Sequence, residues 1–288
     1  MASPKTALVT GTSEGGIGDA IAQDLHRRGF RVFAAARNLS KVQHLANLGL
    51  DVVQMDVADS AAIEAAVAHV QEATGGKLDM LVNNAGVSYH APVLDTDIAK
   101  ARAMFDVNVW GVVEVTQKFS PLLISAKGTI VNIGSIVGEL PFPFIGLYSA
   151  SKAALKLISR TMQIEYAPLD VKVIHVVSGG VATKLFDVGG KEELSESSPY
   201  YPARDILKEW LSGEVYAKGQ TTSPADSAKH IVSNALSWWP RDIYWYGDGA
   251  WPTFIVSNFL WRRIWDFGAW INGWPNLKKI LANRRKSE

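Results

Sequence analysis

The sequence predicts an α/β fold: one doubly wound parallel sheet of about seven strands, with helices on both faces. Three observations carry this. Short apolar runs alternate with longer amphipathic stretches along most of the chain, the pattern of βαβ units. The runs are apolar on both faces, as strands covered by helices must be. The first run leads directly into a glycine-rich turn and then a helix.

In chain order the strands read Ala7–Thr10, Arg31–Ala36, Val52–Asp56, Met80–Asn83, Thr129–Ile133, Val171–Val177 and Asp242–Tyr246. Between them, helical periodicity runs over Ile17–Arg28, Ser60–Thr74, Ile98–Leu123 and Tyr148–Tyr166. No repeat or Pro/Ser-rich linker divides the chain, so residues 1–250 are expected to form one catalytic domain. Two stretches break the rhythm. Residues 183–222 carry weak periodicity and turn formers such as Gly189-Gly190 and Ser197-Ser198-Pro199, and by position should cover the site as a lid. Residues 251–288 form a Trp-rich tail that the sheet does not need.

Composition narrows the function. The chain is 48% hydrophobic and 20% charged, enough for a sizeable core and not a disordered segment. A formal net charge of +1 offers no electrostatic basis for nucleic acid. Cysteine is absent, which removes disulfides, thiolate metal sites and a cysteine nucleophile, and fits a reducing compartment. The six histidines show no metal-ligand spacing, so no metal is expected. A strand begins almost at once, leaving no room for a secretory leader, and no run is long enough to span a bilayer. A cytoplasmic location is expected.

The first turn reads Thr10-Gly11-Thr12-Ser13-Glu14-Gly15-Gly16-Ile17-Gly18. Glycines here let the backbone approach a pyrophosphate, and the following helix start offers unpaired N–H groups and a positive dipole end. Gly11, Ser13, Gly16, Ile17 and Gly18 are therefore candidate dinucleotide contacts in a Rossmann-type unit. A plain tight turn is the other reading. At the end of the second strand stands Arg37 rather than a carboxylate. An arginine suits a ribose 2′-phosphate, which predicts NADP(H) over NAD(H). Otherwise Arg37 is only a solvated residue at a helix start.

Tyr148 and Lys152 stand four apart on one predicted helix, so their side chains share a face. An ammonium beside a phenol favours the phenolate and brings proton exchange nearer neutral pH. Ser135, thirteen residues before Tyr148 and just past a buried strand, can donate to a substrate carbonyl.

With these pieces together the chain resembles a short-chain dehydrogenase/reductase over roughly residues 5–185. The matching residues are the glycine loop, Asp56-Val57, Asn83-Asn84-Ala85-Gly86, Asn108, Ser135, Tyr148 and Lys152, in family order. The resemblance implies that Asp56 and Val57 flank the adenine and that Asn84, Ala85 and Gly86 line the ribose side and brace the sheet. It implies that Tyr148 and Lys152 also contact the cofactor, and that Asn108 holds a water linking Lys152 to solvent. Thr183, with Val181 beside it, would meet the nicotinamide amide or the phosphates. It also implies pairing through the long fourth and fifth helices into a homodimer or homotetramer.

Three departures stand out. The glycine loop is one residue longer than the family's usual TGxxxGxG. Glu14 lies where many NADP-dependent members carry a base, so Arg37 must bear the cofactor preference. The family's proline-glycine pair after strand six reads Ser178-Gly179, which predicts a looser turn. The long loop, the run Ala34–Arg37 and the hydrophobic tail make the chain similar to the fungal branch containing 1-acyldihydroxyacetone-phosphate reductases.

Outside these motifs, His90 reads as an exposed loop histidine, with substrate contact as the alternative. Tyr200, Tyr201, Arg204 and Lys191 lie on the lid, where solvated side chains or a substrate-phosphate contact are the two readings. Phe142 and Phe144 should wall an apolar pocket, and Trp110 reads as core or interface. Eight of the ten tryptophans fall between Trp238 and Trp274, followed by Lys278, Lys279, Arg284, Arg285 and Lys286. Such a tail suits peripheral contact with an intracellular membrane or lipid droplet, or an arm on a partner subunit or over the pocket. The expected activity is NADPH-dependent reduction of a hydrophobic carbonyl compound, an acyl lipid or a biosynthetic intermediate, with Tyr148 as proton donor. A non-redox cyclase or isomerase on the same fold, and a catalytically idle binding subunit, are the alternatives.

Overall fold

The computed structural model describes residues 3–186 and 193–260, together with Leu277 and Leu281. Seven strands form one parallel sheet in the order β3-β2-β1-β4-β5-β6-β7. They are β1 (Thr6–Thr10), β2 (Arg31–Ala36), β3 (Asp51–Gln54), β4 (Met80–Asn83), β5 (Thr129–Ile133), β6 (Lys172–Ser178) and β7 (Ile243–Tyr246). The chain winds outward from β1 to β3, then returns to start β4 on the other side of β1. Ligands in such sheets bind at the carboxyl ends of the strands beside this reversal.

Each face of the sheet has its own core. On one face α1 (Ile17–Arg27) and α9 (Pro224–Ala235) seat Ile21, Leu25, Ile231 and Val232 against Val9, Ala34 and Val176. On the other face α3 (Ser60–Thr74), α5 (Gly111–Ala126) and α6 (Gly146–Tyr166) bring Ile63, Phe119, Leu123 and Met162 onto Leu8, Phe33, Leu81 and Ile130. Full burial of each such Leu, Ile or Phe stabilises the fold by about 1.5–3 kcal/mol before entropy is counted. The helix α3 matches its expected span because Asp59 caps it, accepting from Ala61 N at 3.0 Å, and Gly75 ends it at φ 65°.

The structure differs from the sequence reading in several elements. The stretch 98–123 is helical throughout, as expected, but not α-helical throughout. It divides into α4 (Ile98–Phe105), a π-helical turn Asp106–Trp110, and α5. Strand β3 stops at Gln54, because Asp56 turns the chain by accepting from Ala58 N at 3.0 Å. A short helix α2 (Gln43–Asn47), together with α9 and α10 (Ala250–Phe259), lies outside the helices read from the sequence, although α9 carries the signal in its Ser223 cap, Pro224 and the face Ala228, Ile231, Val232 and Ala235. The lid contains α7 (Arg204–Leu211) and α8 (Glu214–Ala217). The helix α10 packs on β7 through Phe254 against Trp245, ring centroids 5.3 Å apart, so the first part of the tail belongs to the domain. No helix among the described residues is long and apolar enough to cross a membrane.

Candidate active site

The glycine loop is held by contacts that a side chain would destroy. Gly11 sits at φ 70°, and a Cβ there would lie 2.7 Å from Ala85 Cα. A Cβ at Gly18 would lie 2.3 Å from Asn84 Nδ2. That amide donates to the carbonyls of Thr10 and Gly11, both at 2.9 Å, and so ties the end of β4 to the loop after β1. Thr10 completes the tie, its Oγ1 accepting from Asn84 N and Ala85 N at 3.0 Å. No side chain caps the start of α1 at Gly16. Its first N–H groups are left to an anion, which is the fit a pyrophosphate needs.

The extra loop residue is absorbed locally. Gly15 donates its N–H to Asp19 Oδ2 at 2.9 Å, and Glu14 donates its N–H to Lys41 O at 3.2 Å. Asp19 is nearly buried and also meets His44 Nε2 at 2.8 Å. An acidic residue in the first turn of a helix was a readable signal, since the dipole favours it there; the partner on α2 was not. Ser13 is exposed and its carbonyl accepts from Gly16 N, while Ile17 opens α1 half-buried. Arg37 follows β2 and is exposed, and Asn38 after it caps a short turn by accepting from Ser40 N. Val57 is buried against Gly111, where a Cβ would lie 2.6 Å from the Val57 carbonyl.

The structure brings Ser135, Tyr148 and Lys152 together. Ser135 lies just past β5; its hydroxyl accepts from Val137 N and acts on the Tyr148 phenol, whose pKa it lowers. Lys152 Nζ lies 5.9 Å from the centroid of the Tyr148 ring and donates to Ile133 O at 3.1 Å. Both Tyr148 and Lys152 are buried. Burial pushes the Lys152 ammonium down to about 8. It also raises the Tyr148 phenol well above the usual tyrosine range, and the Ser135 hydroxyl offsets this only in part. In the lidded chain desolvation therefore outweighs the pull that the lysine was expected to exert on the phenol.

Asn108 sits in the π-helical turn and is fully buried. Its amide clamps Val87, accepting from the backbone N and donating to the carbonyl at 2.9 Å each, and it donates to Ser151 Oγ at 3.1 Å. Gly86 runs between Asn108 and Lys152: a Cβ there would lie 3.3 Å from Asn108 Oδ1 and 3.5 Å from Lys152 Nζ. A π-bulge is a common device for aiming a side chain at a site, and here it turns Asn108 inward.

The turn after β6 is tighter than Ser178-Gly179 suggested. Gly179 donates to Tyr246 O at 2.7 Å, and Gly180 bridges Asp248. A Cβ on Gly179 would lie 2.3 Å from Asp248 O, so glycine admits the neighbouring loop rather than loosening the turn. Val181 is buried, and Thr183 is half-buried with its Oγ1 accepting from Leu185 N.

The lid rests on the cluster around Tyr148. Leu185 accepts from Ser88 Oγ at 3.1 Å, Phe186 meets the Tyr148 ring edge-on at 6.4 Å, and the Tyr216 hydroxyl donates to Pro143 O. Phe142 walls this pocket, whereas Phe144, Tyr200 and Trp210 join a second cluster with Leu207 and Leu211 of α7. Leu277 is buried in that cluster, so part of the tail returns to the lid. Arg204 stacks over Tyr201 at 4.6 Å, beside its own helix. Lys191, Gly189-Gly190, Trp261, Trp265, Trp270, Trp274 and the basic end lie outside the described residues. Trp110 is not core; it is 60% exposed.

His90 corrects an expectation outright. It is fully buried rather than exposed, packed under the lid. His175 was not foreseen either. Beneath the site it closes a buried chain of hydrogen bonds that runs Thr116–Asn83–Asn132–Ser159–His175. Burial and the nearby cations of Lys152, Lys156 and Arg160 hold it neutral, with its pKa lowered to about 3. Among the described residues, no group of His, Asp and Glu could hold a metal ion.

The family model described as short chain dehydrogenase matches residues 5–193. The chain is 37% identical to the short-chain dehydrogenase fogD of Aspergillus ruber, covering 93% of each chain. It is 42% identical to the NADPH-dependent 1-acyldihydroxyacetone phosphate reductase of Schizosaccharomyces pombe, over 73% of this chain and 72% of that one. Among solved structures, a short-chain dehydrogenase from Streptomyces avermitilis superposes with a TM-score of 0.76 at 28% identity, covering 97% of this chain and 98% of that one. With a matched sheet, a glycine loop built for a dinucleotide and this breadth of sequence likeness, the chain belongs to the short-chain dehydrogenase/reductase family of NAD(P)-using oxidoreductases.

Proposed function

We propose that the chain is an NADPH-dependent carbonyl reductase acting on a ketone of a hydrophobic substrate, an acyl lipid or a secondary-metabolite intermediate. The observation that carries this is the convergence of three groups under an apolar lid: the buried Tyr148 phenol, the Ser135 hydroxyl that lowers its pKa, and the Lys152 ammonium 5.9 Å from its ring centroid. Bound NADPH supplies the hydride to the carbonyl carbon. Ser135 donates to the carbonyl oxygen and polarises the bond. Tyr148 gives its proton to that oxygen as charge develops there. Lys152 stabilises the phenolate left behind, and Gly86 and Asn108 border it.

Gly11, Gly16 and Gly18 with the uncapped start of α1 would hold the pyrophosphate, and Asn84 braces that loop. Arg37 would meet the 2′-phosphate, with no carboxylate at the end of β2 to take a bare ribose hydroxyl instead. Asp56 and Val57 would flank the adenine, with Ala85, Val181 and Thr183 toward the nicotinamide. The apolar lid supports a hydrophobic substrate. The exposed apolar side chains Trp110, Leu157 and Ile164 support a homodimer or homotetramer through α5 and α6. Leu277 in the second lid cluster supports the tail as an arm held on the lid.

The test is incubation with a panel of hydrophobic ketones and either NADPH or NADH. Consumption of NADPH is expected, with a lower KM for NADPH than NADH. Tyr148→Phe should cut turnover by roughly 10²–10⁴-fold while leaving the Kd for NADPH within about threefold. Arg37→Ala should raise KM for NADPH by about tenfold and spare NADH. An NADH preference overturns the cofactor assignment. Product formed without nucleotide consumption points instead to the non-redox chemistry.

A further inference from the structure

We propose that His90 is a substrate-binding residue whose Nε2 accepts a hydrogen bond from a hydroxyl that the hydrophobic ketone carries away from its reacting carbonyl. This deepens the carbonyl-reductase reading and rests on it for the location of the pocket. The imidazole is fully buried, and Nε2 meets no hydrogen-bond partner among the described residues. Unpaired buried polar atoms are uncommon in native interiors and call for a partner that arrives from outside. The other ring nitrogen fixes which partner. Nδ1 lies 3.3 Å from the Leu211 carbonyl, and a carbonyl can only accept, so Nδ1 carries the hydrogen. Burial lowers the pKa of the ring below its ordinary value, which keeps the imidazole neutral at pH 7. A neutral ring with its proton on Nδ1 presents a lone pair at Nε2. It can receive a hydroxyl or phenol proton and cannot donate to an ether or a second carbonyl.

The surroundings tie this atom to the catalytic pocket. The rings packed on His90 are Phe186, with centroids 5.7 Å away, and Tyr216 at 6.1 Å. Phe186 is also the ring that meets Tyr148. Leu211, Phe186 and Tyr216 all belong to the 183–222 lid, and a Cβ on Gly213 of the same segment would lie 2.6 Å from His90 Cε1. One lid ring therefore stands between the proton donor and the imidazole. A substrate that takes the place of Phe186 reaches Tyr148 with its carbonyl at one end and His90 with its hydroxyl at the other. The aromatic walls suit a ring-bearing or extended apolar body between the two polar ends.

Three probes that differ at one position test this: 4-(4-hydroxyphenyl)-2-butanone, its 4-methoxy analogue and 4-phenyl-2-butanone. Binding to the NADP+-loaded full chain is read as Kd from quenching of intrinsic fluorescence, and kcat/KM is measured with NADPH. The hydroxyl compound should bind at least about tenfold tighter than the phenyl one, and the methoxy compound no tighter than the phenyl one. In His90→Phe that preference should collapse to near one while the Kd for 4-phenyl-2-butanone stays within about threefold; His90→Gln, which restores an acceptor, should recover part of it. Circular dichroism confirms that each variant folds. The proposal is overturned if wild type shows no hydroxyl preference, if the methoxy compound binds as tightly as the hydroxyl one, or if His90→Phe weakens all three ketones equally, as a residue that only latches the lid would. A hydroxyl preference that depends on His90 without any NADPH oxidation would support the binding site and overturn the reductase reading instead.

Discussion

A methyl group at position 18 would collide with the Asn84 amide, and that amide carries the two hydrogen bonds joining β4 to the glycine loop. Gly18→Ala must push Asn84 aside or shift the loop. The expected outcome is a loss of about 1–3 kcal/mol in stability by thermal melting, and a Kd for NADPH raised by about tenfold or more. An unchanged Kd would mean that the loop does not hold the nucleotide. At this scale the sequence was most legible where a residue works through its type and spacing. Glycines after a strand, a tyrosine and lysine one turn apart, and a serine past a buried strand are such cases. His90 was not legible, because its burial depends on lid residues more than a hundred positions downstream, such as Leu211. Nor was the pKa balance at Tyr148, since spacing shows the lysine but not the depth of burial.

Strand β6 carries its own liability in His175. The ring sits against Gly134, where a Cβ would lie 2.4 Å from it, and it ends the polar chain through Ser159. Its pKa is depressed from 6.5 to about 3, so between those values the unfolded chain binds a proton that the folded chain refuses. Stability contributed by the neutral ring is full above pH 6.5 and falls as pH drops toward 3, by at most about 1.4 kcal/mol per pH unit. His175→Gln should flatten the fall of Tm between pH 6.5 and 4; parallel Tm curves for the two proteins would contradict this origin. Among the elements, strands and capped helices were readable because periodicity and capping are local. The π-helical turn at Asp106–Trp110 was not, since nothing in the periodicity of 98–123 marks a change of hydrogen-bond step; it is stabilised by what Asn108 finds at Val87 and Ser151. The lid helices were hidden by the turn formers around them.

The molecule as a whole presents Trp110, Leu157 and Ile164 to solvent, with exposures of 60%, 70% and 77%. Large apolar side chains exposed in this way are the basis of the proposed subunit contact. Sedimentation velocity should find a dimer or tetramer, and Leu157→Glu combined with Ile164→Glu should shift it to monomer with the circular dichroism spectrum unchanged. A wild-type monomer at micromolar concentration would remove this face from consideration. The doubly wound parallel sheet was legible from the alternation of elements, because parallel crossovers leave few topologies open. That 183–222 covers the site was legible from its position, but the helices within it and the return of Leu277 to it were not, since those contacts are made between distant parts of the chain rather than along a local pattern.

That division has a consequence for how such an enzyme can change. The reacting groups stand on rigid strands and long helices, while the roof over them comes from a different stretch of chain and leans on them largely through ring edges. Contacts of that kind tolerate shifts of shape. Substitutions in the roof can therefore recut the cavity without disturbing the machinery beneath, and descendants of one catalyst can diverge in what they admit long before they diverge in what they do to it.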